Sequence, residues 1–181
     1  MQRVIAAILL LLLLPVFFIL GFLQLFFFPE IFFTQQRIGK NEIPFRLFKF
    51  RSMHSRNPGA PDIPAWGHFL RRTSLDEIPQ LFNILRGDMN FVGPRPLLPE
   101  YLPLYTERQR KRHVVKPGLT GWAQVKGRGN LSWKEQFELD VWYVENRSVA
   151  TDLKVIGLTV IKMLQASDDE VKIRPPFNGK N

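Results

Sequence analysis

The chain has 181 residues, enough for one domain and an anchor, and its 25 Lys and Arg against 16 Asp and Glu leave a net charge of +9. The absence of cysteine excludes disulfide scaffolds and thiolate metal centres and suits a reducing compartment. A basic excess of this size favours polyanions, and beside an apolar N-terminus it favours anionic lipid and phosphate esters over a nucleic-acid duplex.

Val4 to Phe28 carries no charge, and Gln24 is its one clearly polar side chain. About 20 apolar residues suffice to cross the hydrocarbon core. The run is too long for the apolar region of a signal peptide, and Phe26-Phe27-Phe28-Pro29-Glu30 makes a poor cleavage site. Pro15 lies mid-run, where a missing N–H and a steric clash predict a kink. Two shapes follow: a bent spanning helix, or a helix that turns at Pro15 and returns to its own leaflet. Each half would then be about 18–20 Å long. Arg3 precedes the run, and Arg37, Lys40, Arg46, Lys49 and Arg51 follow it. Basic residues at both ends suit two cytoplasmic ends, one arginine against five partly suits a spanning helix, and charge alone leaves both shapes open while putting the remainder of the chain in the cytoplasm.

Ile31–Gln36 and Phe45–Phe50 flank Gly39-Lys40-Asn41 and predict a β-hairpin at the membrane interface, the second run alternating apolar and basic. Residues 57–64 hold three prolines and a glycine and read as a loop. Ala65–Arg72 predicts a short helix, and Ser74 opens another that ends near Gly87. Leu98–His113 reads as helical with a break at Pro103, and Trp122–Val125 as a short strand. Ser132-Trp133-Lys134-Glu135 is a capping box that starts a helix to about Arg147. Thr151–Gln165 reads as a further apolar helix, and the tail from Ser167 as irregular. The expected fold is α+β and α-rich: a membrane-embedded segment over 1–29, then a small domain over 30–181 with a β-hairpin and several helices, some at the membrane interface.

The chemistry concentrates in Arg71-Arg72-Thr73-Ser74-Leu75-Asp76-Glu77. Ser74-x-x-Glu77 has capping-box spacing, so one reading makes Asp76 and Glu77 helix starters alone. In the other, the helix N-terminus and the arginines keep Asp76 ionised for attack on phosphorus and hold a diphosphate. Mg²⁺ suits that reading, since it takes one or two carboxylates plus phosphate oxygens. Pro94-Arg95-Pro96 holds one arginine between two fixed φ angles, which lowers the entropy lost on binding an oxyanion. Gly127-Arg128-Gly129 lets backbone approach a ligand, and Lys116-Pro117-Gly118 reads as a turn. The run Arg108–His113 is a solvated helix face or a headgroup contact. His54, His68 and His113 share no metal-ligand spacing, the tryptophans read as core, and neither G-x-x-x-x-G-K nor G-x-G-x-x-G occurs.

Phe45–Met53, Ser74–Gln80 with Leu81-Phe82-Asn83, Gly87-Asp88-Met89, Val92–Pro96 and Lys116–Val125 together resemble the bacterial sugar transferases, and more narrowly their small monotopic phosphoglycosyl transferases. The resemblance covers nearly the whole chain. It implies transfer of a sugar 1-phosphate from a UDP-sugar to undecaprenyl phosphate, with release of UMP, at the cytoplasmic face of the bacterial inner membrane. It implies Asp76 as the nucleophile forming a phosphosugar-aspartyl intermediate and lying near Mg²⁺, and Glu77 as its assistant. It also implies Arg71, Arg95 and Arg128 on phosphate or nucleotide, and Pro15 as the hinge of a re-entrant helix set in phospholipid. The compact length and the ending Phe177-Asn178-Gly179-Lys180-Asn181 resemble members that handle N,N′-diacetylbacillosamine in protein glycosylation, with N-acetylgalactosamine, N-acetylglucosamine, galactose and glucose as other donors. Two positions depart from the family pattern: Ala6 and Ala7 follow Arg3 where an acidic residue is usual, and Leu14 precedes Pro15 where serine is common. Outside the transferases, the residues suit a basic membrane-surface scaffold without turnover, and a nucleic-acid binder is the least favoured. Oligomeric state is open.

Overall fold

The computed structural model describes residues 1–54, 62–127, 130–165 and 175–180. Much of the expected 57–64 loop, Arg128 and Gly129, and the tail from Ser167 to Arg174 lie outside the described residues. The chain divides into two compact units, one of Met1–Gln35 and Arg46–Gly87, the other of Gln36–Phe45 and Asp88–Asn181.

The first unit begins with two short apolar helices, α1 (Gln2–Leu12) and α2 (Leu14–Gln24). They meet at Leu13 with a bend of 63°. Pro15 stands in the first turn of α2, where its missing N–H would have no intrahelical partner and its fixed φ suits the helix. Its ring is incompatible with one continuous helix, so the kink expected there is present, with its break at Leu13. Among the described residues no single helix is long and apolar enough to cross a membrane. Strands β1 (Phe32–Ile38) and β2 (Pro44–Phe50) pair as a two-stranded sheet, and the chain changes unit within each of them. Their connection is far too short for a parallel crossover, so the pair is the expected hairpin.

Helix α3 (Ala65–Thr73) and helix α4 (Gln80–Arg86) complete this unit. Helix α1 packs along α4. Leu20, Phe50 and Leu70 are buried together, with Phe17, Ile31, Trp66, Leu75 and Ile78 around them. Each large side chain buried in such a cluster contributes about 1.5–3 kcal/mol. Leu20 and Phe17 belong to α2, so this core fixes the apolar N-terminal stretch to α3 and β2.

The second unit contains β3 (Asn90–Val92), the short α5 (Glu107–Arg110), β4 (Gly118–Thr120), α6 (Trp122–Gly127), α7 (Trp133–Glu145) and α8 (Val149–Leu164). Trp122–Val125, expected as strand, is helix; the strand lies just before it. The expected helix over Leu98–His113 is broken into a 3₁₀ stretch at Pro99–Leu104, then α5, then a 3₁₀ turn at Lys111–Val114. Ser132 and Glu135 form the expected capping box, each side chain bonding the other's backbone N–H. One aromatic core joins Leu97, Tyr101, Tyr105, Trp133, Phe137 and Phe177, and another joins Val92, Trp122, Val125, Tyr143 and Val155. The described residues are α+β and helix-rich, with two small sheets among them.

Candidate active site

Ser74 terminates a helix instead of starting one. Its φ of 58° and ψ of 17° place it in the left-handed region, its N–H bonds the Arg71 carbonyl, and its side chain makes no capping bond. Such a conformation costs a non-glycine residue about 1–2 kcal/mol. No capping box forms and no continuous helix runs from Ser74 to Gly87. Leu75–Glu77 is instead a single 3₁₀ turn between α3 and α4. The dyad is therefore set in a tight reversal, and capping no longer accounts for its two carboxylates.

Asp76 is buried, and the Glu77 side chain is 19% exposed. Lys49, from β2, reaches both: its Nζ lies 2.5 Å from Glu77 Oε1 and 3.7 Å from Asp76 Oδ2. With little solvent around the three groups, these charges interact more strongly than a surface pair would. Lys49 is the site residue that sequence reasoning missed. Its signal was present: a lysine inside Leu47-Phe48-Lys49-Phe50, a strand whose neighbours at 47 and 50 are buried.

Arg71, in the last turn of α3, donates from Nε to Ser52 Oγ at 2.8 Å and from Nη2 to Met53 Sδ at 3.1 Å. Its carbonyl receives the Ser74 N–H, and the Ser74 carbonyl receives the Glu77 N–H at 3.1 Å. Arg71, Asp76 and Glu77 thus stand on one short, internally bonded stretch of the first unit.

Arg95 belongs to the second unit, where the two proline-glycine motifs of the sequence meet. Strand β3 pairs parallel with β4 in the register Asn90 to Gly118 and Val92 to Thr120. Beyond the ladder, the Gly93 N–H bonds the Thr120 carbonyl at 2.9 Å, and the Gly118 N–H bonds the Pro94 carbonyl at 3.0 Å. A Cβ on Gly118 would overlap the Gly93 backbone, so only glycine permits this approach. The Arg95 carbonyl accepts from Arg112 Nη2 at 2.7 Å. Arg37 is near enough that burial, followed by the Arg95 charge, lowers its guanidinium to about 10. A cavity of about 10 Å³ beside Arg95 is lined also by Gly39, Arg112 and His113.

The run Arg108–His113 is a solvated face only in part, with Arg108 and Lys111 exposed. Arg112 and His113 are buried, while Arg108 pairs with Glu138 and Arg110 with Glu42. His113 bonds the Gly39 backbone, and burial, then the Arg112 charge, pushes its imidazole down to about 3. Among the described residues there is no group of three or more His, Cys, Asp or Glu able to hold a metal.

A profile of the bacterial sugar transferases matches residues 1–166. The chain is 53% identical over 141 residues to the uncharacterized sugar transferase EpsL of Bacillus subtilis (strain 168), covering 74% of this chain and 70% of that protein. It is 40% identical over 149 residues to the UDP-glucose:undecaprenyl-phosphate glucose-1-phosphate transferase of Escherichia coli (strain K12), covering 73% of this chain and 32% of the relative. It is 35% identical over 157 residues to the undecaprenyl-phosphate galactose phosphotransferase of Salmonella typhimurium, covering 74% and 33%. The chain thus spans about a third of the length of these last two. With a profile match across most of its length, this protein belongs to the bacterial sugar transferase family.

Proposed function

We propose that the protein transfers a sugar 1-phosphate from a UDP-sugar to undecaprenyl phosphate. The observation that carries the reading is the buried Asp76 set with Glu77 in a tight turn and facing the Lys49 ammonium. An Asp76 oxygen attacks the sugar-bearing phosphorus of the diphosphate. The bond from that phosphorus to the bridging oxygen breaks, and UMP leaves with the electron pair. An oxygen of the polyprenyl phosphate, deprotonated with the help of Glu77, then attacks the same phosphorus, giving the undecaprenyl-diphosphate sugar and restoring the Asp76 carboxylate. Lys49 keeps positive charge beside the carboxylates and the phosphoryl group in flight. Arg71, Arg95 and Arg128 are assigned to donor phosphate and nucleotide.

Mg²⁺ fits the donor set: the two carboxylates already share one cation, the Lys49 ammonium, and Mg²⁺ takes one or two carboxylates together with substrate phosphate oxygens. Asp76 would hold it, and bound there it would neutralise diphosphate charge.

The helix pair α1–α2 is read as re-entrant in the bacterial inner membrane, with the catalytic residues on the cytoplasmic face. Each helix has 11 residues, or about 16 Å, roughly half the hydrocarbon thickness. Leu11, Leu12, Phe18 and Phe22 are all more than 60% exposed, an apolar surface suited to lipid.

The donor proposed is UDP-N,N′-diacetylbacillosamine, for a protein-glycosylation pathway. The test is UMP release with undecaprenyl phosphate and Mg²⁺ from a panel of that donor, UDP-glucose, UDP-galactose, UDP-N-acetylglucosamine and UDP-N-acetylgalactosamine, comparing the natural chain with Asp76→Asn. Release by the natural chain alone is expected. Equal release by both forms would remove the aspartyl intermediate. Release with glucose or galactose alone would replace the donor with the sugars in the relatives' names. Folded protein that binds anionic vesicles but turns over no donor would be a scaffold.

A further inference from the structure

Gln24, the lone polar side chain of the apolar N-terminal stretch, is 1% exposed. Burying an amide is costly unless its donors and acceptor are satisfied. Here Oε1 accepts from Trp66 Nε1 at 2.8 Å, and Nε2 donates to the Arg51 carbonyl. Trp66 lies in the first turn of α3, whose last turn carries Arg71; Arg51 immediately precedes Ser52 and Met53, the two residues that the Arg71 guanidinium bonds. At Gly67 the helix comes so close that an added Cβ would overlap the Ser52 carbonyl oxygen, so α3 and the strand exit press directly together. One amide therefore ties both pieces between which the Arg71 guanidinium is held.

A second amide repeats the device on β2, just before Arg51. Asn83 of α4 accepts the Phe48 N–H at 3.1 Å and donates to the Arg46 carbonyl at 2.7 Å. Asn83 thus supplies partners that a further strand would give β2, and Gln24 supplies one at Arg51, just past the end of the strand. Asn83 secures the stretch bearing Lys49, and Gln24 the stretch that seats Arg71.

We propose that Gln24 is a positioning residue for Arg71, through which the placement of the apolar helix pair sets the geometry of donor-phosphate binding; this rests on the assignment of Arg71 to the donor phosphate. Both bonded atoms of Gln24 are taken up by Trp66 and Arg51. Its effect passes through Trp66 and Arg51, so it belongs in donor affinity before turnover.

The test uses the full chain in detergent and four forms: natural, Gln24→Met, Arg71→Ala and the double variant. Donor KM and kcat for UMP release are measured, with the Kd of UDP by equilibrium binding without acceptor and the thermal midpoint of each form. Gln24→Met, close in shape but with neither amide partner satisfied, should raise donor KM and UDP Kd about tenfold with kcat within about threefold. In the Arg71→Ala background the same change should move both constants less than about twofold, because the group it positions is gone. Trp66→Phe, which removes one of the two bonds, should act in the same direction with a smaller rise. Effects of Gln24→Met and Arg71→Ala that multiply in the double variant would overturn the proposal. So would a lowered thermal midpoint with donor KM and UDP Kd unmoved, which would make the amide a fold element only. Natural affinity for UDP in Arg71→Ala alone would instead refute the assignment of Arg71, a result visible without any change at Gln24.

Discussion

Arg112 Nη2 donates to Asp140 Oδ2 at 2.7 Å, with each side chain only 1% exposed. The same guanidinium reaches the Arg95 carbonyl and lies 5.5 Å from the Phe137 ring centroid. Two charges so completely desolvated persist because they are paired with each other and the guanidinium is bonded further, to the Arg95 carbonyl. Replacing one partner strands the other, which costs about 3–5 kcal/mol. Arg112→Met should therefore lower stability by about that amount, and Arg112→Met with Asp140→Leu should recover much of it. Thermal or urea unfolding of the three forms checks this; equal stability of Arg112→Met and the natural chain would show that the pair is not what holds α7 to this segment.

Lys49 offers a prediction in kinetics. Its ammonium is the positive group shared by the two carboxylates of the proposed site. Lys49→Met should reduce kcat by roughly 10²-fold, the order seen when one preorganised electrostatic donor is removed, with a smaller change in donor KM. Lys49→Arg should restore part of the rate. A Lys49→Met form with natural kcat would leave the lysine a structural counter-ion and nothing more.

His113 gives a prediction in pH. Its imidazole is held neutral in the folded chain, down to about 3 from an ordinary 6.5, by burial and the adjacent Arg112 charge. The unfolded chain therefore binds more protons between those values. Stability associated with this residue is complete above pH 6.5 and is lost as pH falls toward 3, by at most about 1.4 kcal/mol per pH unit. Unfolding free energy measured from pH 7.5 to 5 should fall less steeply in His113→Asn than in the natural chain. Parallel curves would mean that His113 takes its proton without unfolding anything.

Much of the architecture was legible because it is local. The Pro15 bend, the hairpin, the Ser132–Glu135 box and the last helix each follow from a short stretch of chain. What sequence missed depends on partners far away. Ser74 has the spacing of a helix start, but the preceding helix claims it as a left-handed terminus. Trp122–Val125 is a short apolar run, equally consistent with either period, and packing with Tyr143 and Val155 decides for helix. The basic run before Val114 stays exposed at Arg108 and Lys111, but Asp140 draws Arg112 into the interior and Glu42 pairs with Arg110. In the candidate site the carboxylates were visible as a pair, but Lys49 lies on a strand 27 residues before Asp76, and no spacing rule joins the two.

The parallel ladder of β3 and β4 carries a consequence for the order of folding. It joins segments on either side of a long excursion through Pro94 to Pro117, and closing such a loop costs entropy before any ladder bond repays it. Gly93 and Gly118 then approach backbone to backbone, with no side chain to make a looser provisional contact. Contacts this distant in sequence are expected to form late, and Val92 and Trp122 share their core with Tyr143 of α7 and Val155 of α8. By the same rule the segment carrying Arg95 is expected to settle after the local helices α1 and α2.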